Sequence, residues 1–153
     1  MEEFIEQFKA LSDKTRLKIL WLLIMAKTRL CVCEFMDALD ESHCNISRHL
    51  KILKMAGLVK EKKDGRWVYF SLPAQGSPFQ ELIRQAVLSI PEEYCFTDAQ
   101  KLKVRLSLRE NGKCTVGLKS EQWAQALRNL TAKEKNTSEK SRKLPVPEKN
   151  ISR

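Results

Sequence analysis

The chain has 153 residues, of which 42% are hydrophobic and 31% charged, enough for one domain with a real core and a tail but not for two large domains. Its formal net charge of +9 points to a polyanionic partner, nucleic acid before membrane. The longest apolar run, residues 19–26, is far short of a bilayer span and no secretory leader opens the chain, so a cytoplasmic protein without a membrane partner is expected. Five cysteines, an odd number without dense spacing, exclude a disulfide scaffold and leave reduced thiols for other chemistry.

In chain order, residues 2–11 read as a short helix with Phe4, Ile5, Phe8 and Leu11 on one side. Ser12 or Asp13 then caps a second helix, KTRLKILWLLIMA, in which Leu17, Leu20, Trp21 and Ile24 recur at three- and four-residue steps. Ile19, Leu22 and Leu23 widen that face, so this helix belongs at the centre. A third helix over 31–39 turns Phe35, Met36 and Leu39 to the core, and a short turn at Asp40-Glu41 leads to SHCNISRHLKILKMAG. There Ser42 is the predicted N-cap and Gly57 the stop, with Ile46, Leu50 and Leu53 as an apolar stripe. His43, Asn45, Ser47, Arg48, His49 and Lys51 crowd the start of this helix, the end that enters a major groove in a helix-turn-helix. Arg48 and Asn45 suit guanine and adenine edges, whereas Ser47 suits phosphate.

Two strand-like runs, 58–62 and 66–72, flank Asp64-Gly65, a strong hairpin signal. Trp67, Tyr69 and Ser71 alternate with Val68, Phe70 and Leu72, which predicts one packed face and one wet face. Lys60, Lys62, Lys63 and Arg66 near the tip suit phosphate contact, Arg66 among them being a candidate DNA contact. The pattern is that of a mainly α fold with a small β wing, a winged helix-turn-helix. After the loop at 73–78, a helix over 79–90 presents Phe79, Leu82, Ile83, Ala86, Val87 and Ile90. An apolar helix appended to a closed unit is expected to bury itself against a second copy, so the fold is read as dimeric, with two recognition helices about one DNA turn apart.

Pro91 ends that helix, Asp98 caps another to about Glu110, Asn111-Gly112 turns the chain into a strand-like KCTVGL, and 120–130 reads as a last helix. In residues 131–153 basic residues outnumber acidic ones and large apolar residues are scarce, which predicts disorder. The organisation read from the sequence is therefore a DNA-binding and dimerisation domain over 1–92, a C-terminal extension over 93–130 and a basic tail over 131–153.

Cys31 and Cys33 form C-x-C at the start of the third helix. Residues two apart on a helix point about 200° apart, so both sulfurs reach one ion only if the helix start unwinds or reorients. Such a site favours thiophilic ions and strains the element that carries the recognition helix, which makes it a switch. Trivalent arsenic or antimony accepts a pyramidal set of three sulfurs. For the third, Cys44 is poorly placed, Cys95 reads as incidental, and Cys114, in a flexible turn, is free to swing in.

Several strings together resemble the ArsR/SmtB family of metal-responsive winged-helix repressors: ALSDKTRL with Ile19-Leu20, LCVCEF, Ser47-Arg48-His49-Leu50 with Leu53, and Ala56-Gly57-Leu58-Val59 before the wing. LCVCEF is similar to the motif of the arsenic-sensing branch. The resemblance implies a homodimeric transcriptional repressor on double-stranded operator DNA, released when Cys31 and Cys33 bind trivalent arsenic or antimony as inducer, with no obligatory cofactor. It implies too that His49 lies on the DNA side. Three departures stand out. Met36 occupies the place where some arsenic sensors carry a third cysteine, leaving the third ligand open. His43 stands where relatives often carry Gln. The helix over 79–90 has no His, which argues against zinc sensing there. The competing readings are a thiol redox sensor and a sensor of cadmium, lead or bismuth. An enzyme is not expected: a thiol-disulfide enzyme needs C-x-x-C, and the chain has none.

Overall fold

A computed structural model describes residues 1–115 and 120–142, with side chains placed to residue 132. Helices α1 (Glu2–Leu11) and α2 (Lys14–Ala26) meet at Asp13, whose extended backbone lets its carboxylate accept the Arg16 N–H at 2.9 Å. Arg16 turns its guanidinium back onto the carbonyls of Lys9 and Ala10, so the orphan acceptors at the end of α1 are satisfied from α2. Five successive residues of α2, Ile19 to Leu23, are buried, as a helix apolar on every side requires.

A two-residue strand, β1 (Leu30–Cys31), precedes α3 (Val32–Leu39) and α4 (His43–Met55). The sequence pattern missed β1, because two residues carry no periodicity; its pairing with the wing defines it. Ser42 caps α4 by accepting the Asn45 N–H at 3.2 Å. At its other end Gly57 takes φ +71, which lets the Leu58 N–H return to the Leu53 carbonyl at 3.0 Å.

The wing consists of β2 (Lys60–Asp64) and β3 (Trp67–Ser71), and the antiparallel sheet runs β1-β3-β2. Two expectations are corrected here. Asp64 pairs with Trp67, so the two-residue loop is Gly65-Arg66 rather than Asp64-Gly65, with Gly65 at φ +61. Asp64 stays in the strand, where its carboxylate meets the Arg29 guanidinium at 2.6 Å, and Leu58 and Val59 are core residues closing the helix rather than the first strand residues. The face of β3 expected to be wet is covered as well: Tyr69 and Phe70, on opposite faces, are both buried, because Cys114 lies over Tyr69.

Helix α5 (Pro78–Leu88) starts in a reciprocal cap, the Gln80 N–H donating to Ser77 Oγ and the Ser77 N–H to Gln80 Oε1. Ile83 and Val87 pack into the chain's own core, while Leu82 is 62% exposed. Phe79 sits edge-on to Phe4 and Phe8, with centroids 4.8 and 5.4 Å away, so α1 and α5 together present Phe4, Ile5, Phe8 and Leu82 on an apolar outer face.

After a short 3-10 turn, α6 (Phe96–Ser107) begins ahead of Asp98, which sits in its first turn and pairs with Lys18. Cys95 and Leu102 join the main core, so that core is continuous past position 92. Asn111 and Gly112, both at positive φ, turn the chain between Glu110 and Lys113 as predicted. Of the expected KCTVGL strand only 113–115 fall among the described residues, where Lys113 makes a single bridge; 116–119 lie outside them. Helix α7 (Glu121–Arg142) corrects the expected end near residue 130 and the expected disorder from 131: its Ala, Lys and Glu residues are good helix formers and need no burial to continue the turn. Residues 143–153 lie outside the described part. Among the described residues no helix is long and apolar enough to cross a membrane.

Candidate effector site and nucleic-acid interface

Cys31 ends β1 in extended backbone, φ −90 and ψ 163, and serves as N-cap of α3; Cys33 is the second residue of that helix. The two are therefore not both on the helix: Cys31 precedes it, its sulfur within 4.8 Å of the Cys114 sulfur, and Cys33 packs at the edge of that pair. Cys114 is likewise not a loose turn residue. It is fully buried, and its N–H donates to the Tyr69 hydroxyl at 2.9 Å. Tyr69 is also the sheet partner of Cys31, so Cys31, Tyr69 and Cys114 form a small second core with Cys33 and Trp67 at its edge. Cys44 is exposed on α4 and Cys95 lies in the main core, both outside this group.

Two arginines of α6 and its following turn lock the group to α3. Arg109 grips the buried Glu34 through Nε and Nη2 at 2.7 and 2.8 Å, and donates to the Arg29 carbonyl at 2.6 Å. Arg105, with no exposed surface, donates to Asp37 at 2.7 Å and places Nη2 3.6 Å from the Cys114 sulfur. Glu34 also accepts the Cys31 N–H at 2.8 Å. The Cys31 and Cys114 sulfurs and a Glu34 oxygen all lie within 4.8 Å of one another. Sequence reading overlooked Glu34, Asp37, Arg105, Arg109 and Tyr69. Part of their signal was there in the spacing: Glu34 and Asp37 lie three apart on one face of α3, and Arg105 and Arg109 follow four apart at the end of α6 and just beyond it.

The Cys33 thiol is held low, first by the hydrogen bond from Cys31 and further by the Arg105 charge, against the opposing pull of burial. The hydrogen bond from Cys114 lowers Cys31, yet Cys33, burial and the Glu34 charge outweigh it and push Cys31 up to about 12. Cys114 is pushed up by its bond to Cys31 and by burial. Cys33 thus supplies the first thiolate, and an ion arriving there finds two neighbouring thiols to deprotonate. Cys31 and Cys114, with Cys33 at their edge, offer three thiols to a thiophilic ion of pyramidal coordination once Cys33 moves in to join the other two.

At the other end of α3, the start of α4 carries the residues expected to meet DNA. His43 is exposed and its Nδ1 lies 3.4 Å from Ser47 Oγ. Asn45 donates to Glu41 at 2.7 Å and accepts from Arg48 at 2.6 Å, so two candidate base readers are held in one network. Lys51 is exposed one turn on, and Arg66 projects from the wing loop with its guanidinium over the Trp67 ring. His49 is only 7% exposed, and its Nδ1 faces Asp13 Oδ1 at 3.6 Å. The apolar stripe of α4 at Ile46, Leu50 and Leu53 faces α2, and position 49 falls on the same side. His49 therefore braces α4 against the cap of α2 instead of lying on the open face.

Comparison with known proteins adds the following. Residues 13–61 match the model of the bacterial regulatory protein, arsR family. An arsenical resistance operon repressor from Escherichia coli is 36% identical over 110 residues, 64% of this chain and 93% of that protein. An arsenic resistance transcriptional regulator of Pseudomonas putida is 37% identical over 62% of this chain and 73% of its own length. A cadmium resistance transcriptional regulatory protein CadC homolog from Staphylococcus aureus is 40% identical over 53% of this chain and 64% of its own length. Among solved structures, reduced HlyU from Vibrio cholerae superposes with a TM-score of 0.50 at 26% identity, covering 59% of this chain and 92% of that one.

Proposed function

The chain belongs to the arsR family of bacterial regulatory proteins, winged-helix transcription regulators rather than enzymes, and from that premise we propose that it is a repressor released from operator DNA by trivalent arsenic or antimony. The thiolates of Cys31, Cys33 and Cys114 bind the inducer. The observation that carries this reading is that the Cys114 thiol, from a distant part of the chain, is buried against Cys31, with Cys33 at the edge of the same cluster. Cys31 is at once the cap of α3, which leads into α4, and the sheet partner of Tyr69 in the wing. A shift of its sulfur therefore reaches both DNA-reading elements, and an ion that favours the shifted form disfavours the DNA-bound one.

His43, Asn45, Ser47, Arg48 and Lys51 read the major groove and Arg66 the adjoining phosphates, with His49 as their brace. The apolar outer face of α1 and α5 is where a second copy docks, setting two recognition helices about one DNA turn apart. Residues 1–92 make the DNA-binding and dimerising part, and the extension over 93–130 supplies Cys114. The protein works in the cytoplasm and needs no resident cofactor.

The test is release of a fluorescent operator fragment, followed by anisotropy, as reduced protein is titrated with arsenite, cadmium and peroxide. Arsenite is expected to release wild type and to leave Cys33→Ser and Cys114→Ser bound. Release by peroxide alone, or by cadmium alone, refutes the metalloid assignment.

A further inference from the structure

The thiol group has a fourth potential donor that the structure keeps occupied. Glu34 places a carboxylate oxygen within 4.8 Å of both the Cys31 and the Cys114 sulfur, close enough to complete a mixed sulfur and oxygen site. Yet this fully buried carboxylate is committed elsewhere. It receives two parallel N–H bonds from Arg109 at 2.7 and 2.8 Å and a third from the Cys31 backbone at 2.8 Å. A bidentate guanidinium pair is among the strongest polar contacts a side chain makes, and here it is shielded from water. Arg109 is itself held in place by its bond to the Arg29 carbonyl, so it cannot easily swing off.

Ion chemistry makes this arrangement selective. Three thiolates neutralise a trivalent metalloid and fill its pyramidal coordination, so it gains nothing from an added oxygen. Divalent zinc prefers four ligands in a tetrahedron and accepts carboxylate oxygen beside sulfur, and cadmium shares its thiophilic character. Charge acts in the same direction. With Glu34 paired to Arg109 and Asp37 to Arg105, the carboxylates around the thiols are neutralised, and a buried complex is favoured when its own charge is zero. Three thiolates with a trivalent ion meet that condition; three with a divalent ion leave a net negative charge.

We propose, resting on the metalloid reading above, that Arg109 is a specificity-determining residue: by withholding Glu34 it keeps the site a three-thiolate one that prefers trivalent metalloids to divalent cations. Arg109 acts through Glu34 and does not touch the ion. Relatives in the same family respond by name to arsenic or to cadmium, so discrimination of this kind separates neighbouring members.

The experiment measures binding of arsenite, cadmium and zinc ions to the reduced full-length chain by the ultraviolet thiolate-to-metal absorption, with chelator competition to fix affinities. Arg109→Met is expected to lower the arsenite-to-cadmium affinity ratio by about tenfold or more, mostly by raising cadmium affinity. Adding Glu34→Gln to that variant returns the ratio toward wild type, because the amide cannot serve as an anionic ligand. Arg109→Lys keeps the charge and loses the fork, and gives an intermediate ratio; it decides the matter if Arg109→Met does not fold. A ratio unchanged in the folded Arg109 variants overturns the proposal, as does a shift that persists without the Glu34 carboxylate. Wild type that binds no arsenite refutes the metalloid reading instead, while the cadmium gain and its dependence on Glu34 still judge Arg109.

Discussion

Removing the buried Asp37 carboxylate tests whether the C-terminal extension is bolted to the DNA-binding part or only lies against it. Arg105 has no exposed surface and Asp37 is only 6% exposed, with 2.7 Å between them. Burial pushes the Asp37 carboxyl up, against the pull of the Arg105 N–H. Burial also disfavours the charged guanidinium, but the hydrogen bond to Asp37 together with the charges of Cys114, Asp37 and Glu34 outweighs this and holds it charged. The two halves are therefore not equivalent. Asp37 escapes by taking a proton when its partner is lost, whereas Arg105 cannot shed its charge. Asp37→Ala, which removes the carboxylate facing the buried guanidinium, is expected to cost about 3–5 kcal/mol. At this chain length that corresponds to a melting temperature lower by roughly 6–20 °C. Arg105→Met should cost less, and the double variant should recover most of the loss, since an apolar replacement of a buried pair is often neutral. Urea unfolding followed by tryptophan fluorescence reads all three, Trp21 being buried in the main core. A loss below about 1 kcal/mol in Asp37→Ala, or a double variant as weak as the two singles added together, refutes the view that this pair docks α6 on α3.

Other outcomes are equally specific. Asp13 is partly buried, which raises its pKa, but the Arg16 N–H, His49 and the Arg16 guanidinium outweigh this and hold its carboxyl below the ordinary value. Its contribution is therefore present above the unfolded carboxyl's pKa and lost as pH falls through the depressed one; Asp13→Ala should cost about 0.5–2 kcal/mol at neutral pH in urea unfolding, with the gap closing in acid. Within the thiol group, Cys33 should alkylate with iodoacetamide before Cys31 and Cys114, and arsenite should protect it, as read by peptide mass mapping of a Cys44→Ser background; equal rates at all three would contradict the thiolate order. On DNA, Arg48→Ala is expected to relax sequence preference at one base pair at a cost of about 1–3 kcal/mol, whereas Lys63→Ala at the exposed wing should weaken all sequences alike and reduce the salt slope by about 1, both read by anisotropy across a salt series. The reverse pattern would exchange the reading and phosphate roles.

Local pattern by itself determined most of the helices of this protein. The apolar steps of α2, its Asp13 cap, the Ser42 cap of α4 and the stop at Gly57 are short-range signals, and each stands where the residues put it. The winged-helix class and the family followed from short contiguous strings, several of them at the junctions between elements. What local pattern does not encode is which elements lie over one another. That is why β1 was missed, since a two-residue strand exists only through its partner β3. It is why the alternation in β3 predicts one wet face, when Cys114 covers Tyr69 and Phe70 is buried on the other side, and why Cys31 reads as the first residue of a helix, when it ends a strand and caps α3. The partner of His49, Asp13 at the cap of α2, lies far from it in the chain and is set by packing as well. Only the tertiary structure brought Cys114 to the C-x-C pair, because the Arg105 to Asp37 and Arg109 to Glu34 pairs join residues far apart in the chain and hold α6 on α3. A buried charge must find its opposite wherever the fold can supply it, and that partner is set by packing and not by spacing along the sequence.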